Sequence, residues 1–407
     1  MTASDACDLP RWAVTTSLPS RRPHRGCRTD EGWVEMSQGS TAVRGRVLHV
    51  APGDAIARLQ PQFGFQQEHG YDVRVACGRS SDVNWARLAP FEPIDIPFPR
   101  RPLPHRVAAT LVELVRAARE WRPTYLHLHS PAVALTVRWV PRSCWPVGMQ
   151  MVYTVHGYGH VWPPRGRARA IQQAERVLAR RTDLMLFQST EDLDESRGRR
   201  YNSRLRYLGN GVEDAWFDMV PAPRSTGPLE IVYVGRMVEE KGVLDLVEAV
   251  RGLEGVRLHL VGAAEPTDPR PVDPAAIAAT AAPGTVVVHG RVDQPTLRQV
   301  VADADVLCLP SYREGVPQSV IEALAAGRPT VVTDVRGCRE LVDDGVNGYV
   351  VRARDPAGLR VALQRMRDLP AAEYARMSTA ARSSVAQGRR LENVHARLLE
   401  AYRELEP

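Results

Sequence analysis

The sequence predicts an α/β fold made of two doubly wound, Rossmann-like domains. From Arg46 onward, short apolar runs of strand length alternate with amphipathic stretches, the pattern of a parallel sheet flanked by helices. A stretch rich in Gly, Pro and polar residues from Gly209 to Pro228 interrupts the alternation, which then begins again. The 407 residues are enough for two separate cores. The expected boundaries are a disordered tail over 1–43, a first domain over 44–208, a linker over 209–227, a second domain over 228–385 and a C-terminal helix over 386–407 that returns to the first domain.

The tail is rich in Arg, Ser and Thr and lacks the apolar run of a secretory signal, and Met36 offers an alternative start. Val47–Val50 reads as the first strand, Ala55–His69 as a helix and Val73–Ala76 as the second strand. Between them, His49-Val50-Ala51-Pro52-Gly53-Asp54 does not fit GxGxxG, so a dinucleotide site is not expected. A helix with Val107, Leu111, Leu114, Val115 and Ala118 on one face follows. The strand Tyr125–His129 ends at His129 and runs into Ser130-Pro131, and the strand Met151–Val155 runs into His156-Gly157-Tyr158-Gly159-His160. Ala168–Arg181 reads as a helix, Leu184–Phe187 as a strand, and Ser189-Thr190-Glu191-Asp192 as a helix cap. In the second half, strands are expected near 229–234, 257–261, 285–289, 305–309, 329–333 and 348–351, and a final helix over Leu391–Leu405.

Composition narrows the function classes. A net charge of +6 and a pI near 9.1 suit anionic ligands or an anionic membrane surface better than dedicated nucleic-acid binding. Six cysteines without a CxxC pair read as reduced thiols, and no apolar run reaches the ~20 residues that span a bilayer, so a cytoplasmic protein is expected. Arginine and tryptophan gather at Pro99–Arg106, Arg138–Trp145 and Trp162–Arg169. These clusters fit a solvated face and a peripheral contact with anionic lipid on the inner membrane face equally well.

Two stretches carry the chemistry. In Leu309–Gly327 an apolar strand feeds a helix through Glu314-Gly315-Val316-Pro317, placing free amides and the positive helix end at one spot, with Glu314 and Glu322 available to grip a ligand. In the other, the strand Leu229–Val234 runs into Gly235-Arg236 and Glu240-Lys241-Gly242. The 53 Lys and Arg residues include one lysine, Lys241, a compact point charge suited to phosphate. Asp192-Leu193-Asp194 and Asp303-Ala304-Asp305 both spell DxD, but one follows a helix cap and the other precedes a buried strand. Both read as structural, and no metal or other cofactor is expected.

Five stretches of the second half, GRMVEEKG (235–242), LHLVG (258–262), VVVHGRV (286–292), ADVLCLPSYREGVPQSVIEALAAGRPTV (304–331) and GCRELVDDGVNGYVV (337–351), resemble family 4 glycosyltransferases of the GT-B type. In the first half YLHLHSP (125–131), VYTVHGYGH (152–160), FQSTEDLDESR (187–197) and YLGNGVED (207–214) are similar to bacterial enzymes of capsular and exopolysaccharide assembly. The loop after the first strand departs from the pattern, keeping only Pro52-Gly53 where many relatives are glycine-rich. The resemblance implies two domains facing each other across a cleft. It implies retaining transfer of a sugar from a nucleotide-diphosphate donor, a UDP-sugar ahead of GDP-mannose, to a sugar or lipid-linked hydroxyl acceptor.

By motif, the resemblance assigns Arg236 and Lys241 to the diphosphate, Glu314 to the donor sugar, Glu322 to the ribose and His156 to the far side of the donor sugar. Gly235, the backbone at Arg291 and Val292, and the turn Gly315, Val316, Pro317 and Gln318 with the amides around it fall to the donor. His129, Pro52 and Gly53 fall to the acceptor side. A sugar-nucleotide epimerase of the same plan and a catalytically silent nucleotide-sugar-binding protein are the alternatives. The first would act on donor alone, and the intact set Arg236, Lys241, Glu314 and Glu322 speaks against the second.

Overall fold

The structure, a computed structural model, describes residues 43–407 apart from 80–84, 99–103, 159–164, 202–203, 222, 225, 265–269, 283 and 407. The expectations for the tail, for Gly159 and His160, and for most of the clusters at 99–106 and 162–169 lie outside the described residues.

Two wholly parallel sheets form the frame. The first contains β1 (Gly45–Val50), β2 (Tyr71–Cys77), β3 (Ile94–Asp95), β4 (Tyr125–His129), β5 (Gln150–Val155), β6 (Leu184–Phe187) and β7 (Leu205–Tyr207), in the order β3-β2-β1-β4-β5-β6-β7. The second contains β8 (Leu229–Val234), β9 (Val256–Val261), β10 (Val286–Gly290), β11 (Val306–Leu309), β12 (Thr330–Thr333) and β13 (Gly348–Val351), in the order β10-β9-β8-β11-β12-β13. Runs such as LMLF in β6 and VLCL in β11 are buried throughout because helices cover both faces of each sheet. In each sheet the chain winds to one edge, returns to the middle and continues the other way. The direction changes between β1 and β4 and again between β8 and β11. Such a reversal opens a crevice beyond the carboxyl ends of the two strands, where doubly wound folds bind ligands.

Three sequence expectations change on contact with the fold. The helix expected over Ala55–His69 is broken into Gly53–Ile56, a 3-10 turn at Ala57–Leu59 and Gln60–Glu68. Pro61 is the cause, since it has no N–H to give and its ring would press on the carbonyl of Ala57 in a continuous helix. The segment 209–227 is more than a spacer. A helical turn at Asp214–Phe217 buries Trp216 and Phe217 in the second core, and Val212 bridges to Arg390. The Arg138–Trp145 cluster is only partly a surface feature. Arg138 is buried against Glu175 at 2.6 Å and lies over the Tyr153 ring, and Trp145 is buried too. Trp139 remains half exposed.

The last helix, Leu391–Arg403, places Val394, Leu398, Leu399 and Tyr402 in the same core as Val47, Phe63, Tyr71 and Tyr125 of the first sheet. Tyr402 stacks on Tyr125 with centroids 4.5 Å apart. Among the described residues, Cys77, Cys144, Cys308 and Cys338 are free thiols, and no helix is long and apolar enough to cross a membrane.

Candidate active site

The carboxyl ends of the second sheet collect most of the residues singled out above. Gly235 and Arg236 leave β8, and the Tyr233 hydroxyl, reaching back from that strand, donates to the Arg236 carbonyl at 2.7 Å. Lys241 ends a 3-10 turn, and Gly242 follows at φ 69°. A Cβ on Gly242 would overlap the carbonyl oxygen of Pro310 at the end of β11, so only glycine lets the two turns close on each other. That closure brings Lys241 Nζ to Glu314 Oε1 at 2.5 Å, and Ser311 Oγ donates to the same oxygen at 2.7 Å. The two residues assigned to different parts of the ligand are therefore in direct contact. Glu240 adds a second tie, accepting from Arg236 Nη2 at 3.0 Å and from Arg313. Gly262 donates to the Gly290 carbonyl at 2.8 Å, which sets the Arg291-Val292 loop beside the ends of β9 and β8.

Pro317 stands at the N-cap of the helix Gln318–Ala325, and Val316 and Glu322 are buried. Burial lifts the Glu322 carboxyl to about 7, against a hydrogen bond with Gln318 that favours its charged form. Arg298, Glu213 and Arg58 are the charges around it.

The first sheet meets this loop at the end of β5. A Cβ on Gly315 would overlap the carbonyl oxygen of His156, so the turn bearing Glu314 lies against the end of β5 with no room for a side chain. Asn210 Nδ2 donates to the Val316 carbonyl at 3.0 Å from the segment joining the sheets. His156 is half buried and His129 fully buried, their rings joined Nε2 to Nδ1 at 3.2 Å. Pro52 and Gly53 follow β1 at the crevice of the first sheet, and position alone marks the acceptor side.

His49, His127 and His129 offer ring nitrogens within 4.8 Å of one another, the geometry of a candidate metal cluster. All six of those nitrogens already have hydrogen-bond partners, and the rings of His127 and His129 stack instead of converging on a point. The donor set therefore does not fit a metal. Neither DxD is open to one: Asp192 is buried against Arg336, and Asp305 accepts from the Glu230 amide at 2.9 Å.

The Glycosyltransferase Family 4 profile matches residues 65–216, and the profile of Glycosyl transferases group 1 matches residues 228–368. The chain belongs to the glycosyltransferases. It is 30% identical to a glycogen synthase of Mycobacterium tuberculosis over 64% of this chain, and the match takes in 64% of that enzyme's length. It is 29% identical to a D-inositol 3-phosphate glycosyltransferase of Xylanimonas cellulosilytica, over 66% of this chain and 69% of that one. Among solved structures, a sucrose-phosphate synthase of Thermosynechococcus elongatus superposes with a TM-score of 0.72 at 18% identity, covering 89% of this chain and 99% of its own. The Anabaena protein HepE in complex with UDP-glucose gives 0.70 at 16% identity, covering 89% and 100%. The fold is GT-B, two Rossmann-like halves.

The glycosyltransferase motifs that had no role in the sequence reading hold the halves together. Glu340, in GCRELV, accepts from the Thr190 amide at 2.8 Å, from Thr190 Oγ1 at 2.7 Å and from Ser189 Oγ, at the start of the helix Thr190–Gly198. Arg336 binds Asp192 at 2.5 Å and Glu195 at 2.7 Å, and Arg339 grips both oxygens of Glu191 at 2.8 and 2.9 Å. Opposite charge in the two stretches was visible in sequence, but not that they meet. Arg58 was also missed. Its charge acts on both His156 and Glu322, so it is a cation of the first half placed near residues of both. A lone arginine in an arginine-rich chain gives no signal.

Proposed function

We propose that the chain is a retaining glycosyltransferase that moves a sugar from a nucleotide-diphosphate donor, a UDP-sugar ahead of GDP-mannose, to a hydroxyl of a sugar or lipid-linked acceptor in polysaccharide or glycolipid assembly. The observation that carries this reading is the Lys241–Glu314 pair at the β8/β11 reversal with the backbone of His156 packed on Gly315. It puts a cation, a carboxylate, a helix N-terminus and the backbone of His156 around one turn. The UDP-glucose bound to HepE and the polymer-forming activity named for the glycogen synthase support the donor and product classes.

As the bond from the anomeric carbon to the β-phosphate oxygen breaks, negative charge grows on the diphosphate. Arg236 and Lys241 stabilise that charge, and they do so in place rather than by reorganising water. Lys241 has three donors, so its ammonium can hold Glu314 and a phosphate oxygen together. Glu314 accepts from the sugar hydroxyls and Glu322 from the ribose. The acceptor oxygen attacks from the face the diphosphate leaves, and its proton passes to the departing phosphate oxygen. The sequence offers no well-placed carboxylate pair of the glycosidase kind, so a covalent double displacement is the weaker mechanism. With these cations in place, transfer is expected to proceed without a metal, a point checked by assay in excess chelator. A peripheral contact with anionic membrane remains part of the proposal through half-exposed Trp139 and the arginine beside its ring, Arg181.

A thermal-shift panel of UDP-, GDP- and ADP-sugars tests the reading. A ligand that binds only the folded state adds about 2.7 kcal/mol of stability at a hundred times its Kd, so the true donor should raise the midpoint in proportion to the logarithm of its concentration. A response to NAD or nucleic acid alone would overturn it.

A further inference from the structure

The histidines of the first sheet form one hydrogen-bonded row that starts far from the candidate site. Tyr402, on the C-terminal helix, lies 3.2 Å from Gln66 Nε2 and 2.6 Å from His127 Nδ1. Gln66 Oε1 lies 2.8 Å from His49 Nε2, His49 Nδ1 lies 2.9 Å from His129 Nε2, and His129 Nδ1 lies 3.2 Å from His156 Nε2. Gln66, His49, His127 and His129 are fully buried, so no water competes for these bonds. Burial also holds every ring neutral, with His49 brought down to about 3 and His156 to about 4. A neutral imidazole carries one N–H and one lone pair, so each bond in the row dictates the next.

The Gln66 amide sets the direction. Its oxygen faces His49, so His49 carries its proton on Nε2 and presents a lone pair at Nδ1. His129 must then donate from Nε2 and accept at Nδ1, and His156 must donate from Nε2. Turning the Gln66 amide over would reverse every bond, its oxygen then accepting from the Tyr402 hydroxyl, so the orientation of this one amide decides which tautomer His156 takes. We infer that Gln66, His49 and His129 are positioning residues that lock His156 as the Nε2–H tautomer. The nitrogen His156 keeps for a ligand, Nδ1, is then an acceptor, so it recognises a donor-sugar hydroxyl by taking its proton into a hydrogen bond rather than by giving one. This rests on the sugar-transfer reading above and adds a polarity to it. Gln188 is the other hydrogen-bonding side chain beside His156; its bond favours a proton on the ring, so in the tautomer inferred here Gln188 must turn its amide N–H toward the ring.

The test is two-bond ¹H–¹⁵N correlation spectroscopy of protein labelled with ¹⁵N in histidine, with the His156 signal identified by its loss in His156→Gln. The expected spectrum is a neutral Nε2–H ring. In Gln66→Leu, which removes the oxygen facing His49, the signal should spread between tautomers and kcat should fall about tenfold, the worth of one hydrogen bond of ordinary strength. Gln66→Glu, which returns an oxygen, should restore the single tautomer. An Nδ1–H ring in the unaltered protein overturns the inference. So does a Gln66→Leu protein whose spectrum and kcat are unchanged. The spectrum needs no substrate, so a wrong tautomer defeats this inference alone, while an absence of sugar transfer defeats only the reading beneath it. Should Gln66→Leu not fold, the unaltered protein still decides.

Discussion

Glu322 shows how one buried residue ties stability to function. Its carboxyl is raised from 4.5 to about 7 by burial, so the folded chain holds a proton that the unfolded chain releases. Stability from this group is therefore full below about pH 4.5 and lost as pH rises through about 7. Glu322→Gln removes that dependence. It should stabilise the protein above pH 7 by up to about 3 kcal/mol and leave it unchanged near pH 4.5, as denaturation midpoints at the two pH values would report. Under the proposed role the charged carboxylate holds ribose hydroxyls more strongly than the neutral one, so the donor KM of the unaltered protein should rise as pH falls below about 7. The KM of Glu322→Gln should be flat with pH and higher by about tenfold or more. A pH-independent KM in both proteins would remove Glu322 from the donor site. Glu322 was legible in the sequence because a carboxylate in an apolar helix after a strand-turn is a local pattern. Arg58, His49 and Gln66 were not, since their importance comes from neighbours far along the chain.

At the scale of elements, the turns at Lys241 and Glu314 were legible for the same reason: strand, glycine and helix start lie within one short stretch of sequence. Contact between the two turns was not legible, because it depends on the strand order that sets β8 beside β11. Gly242→Ala places a side chain at positive φ against the Pro310 carbonyl and should lower stability by about 1–3 kcal/mol, read from chemical denaturation. Gly315→Ala acts differently. It inserts a methyl group between the Glu314 turn and the His156 backbone and should leave each sheet intact while shifting one against the other. A misplacement near 1 Å reduces kcat/KM about a hundredfold, so a strong loss of activity with little loss of stability is the expected result. Equal losses of both would mean that Gly315 serves only folding. The broken helix at 53–68 marks where period alone misleads: the apolar spacing continued through Pro61, but the backbone hydrogen bonds could not.

Across the whole molecule, alternation of strand and helix disclosed two doubly wound halves, but their mutual attachment was written in charges whose partners lie about 140 residues away. Arg336, Arg339 and Glu340 carry that attachment to the helix Thr190–Gly198. Arg336→Ala together with Arg339→Ala and Glu340→Ala leaves buried Asp192 without its cation and removes the bidentate grip on Glu191. The halves should separate, raising the radius of gyration in small-angle scattering and the donor KM. An unchanged radius would deny the contact a role in holding the halves together. The C-terminal helix belongs to this scale as well, since it both seals the first core and supplies Tyr402 to the histidine row. Above all of this stands the claim that the donor diphosphate is held at the Lys241–Glu314 pair, opposite His156. Equilibrium titration of UDP into the unaltered protein and into folded Lys241→Ala tests it most directly. Binding weaker by about tenfold or more is predicted for the variant, the loss of one charge-assisted contact. Equal affinity in the two proteins would contradict the claim.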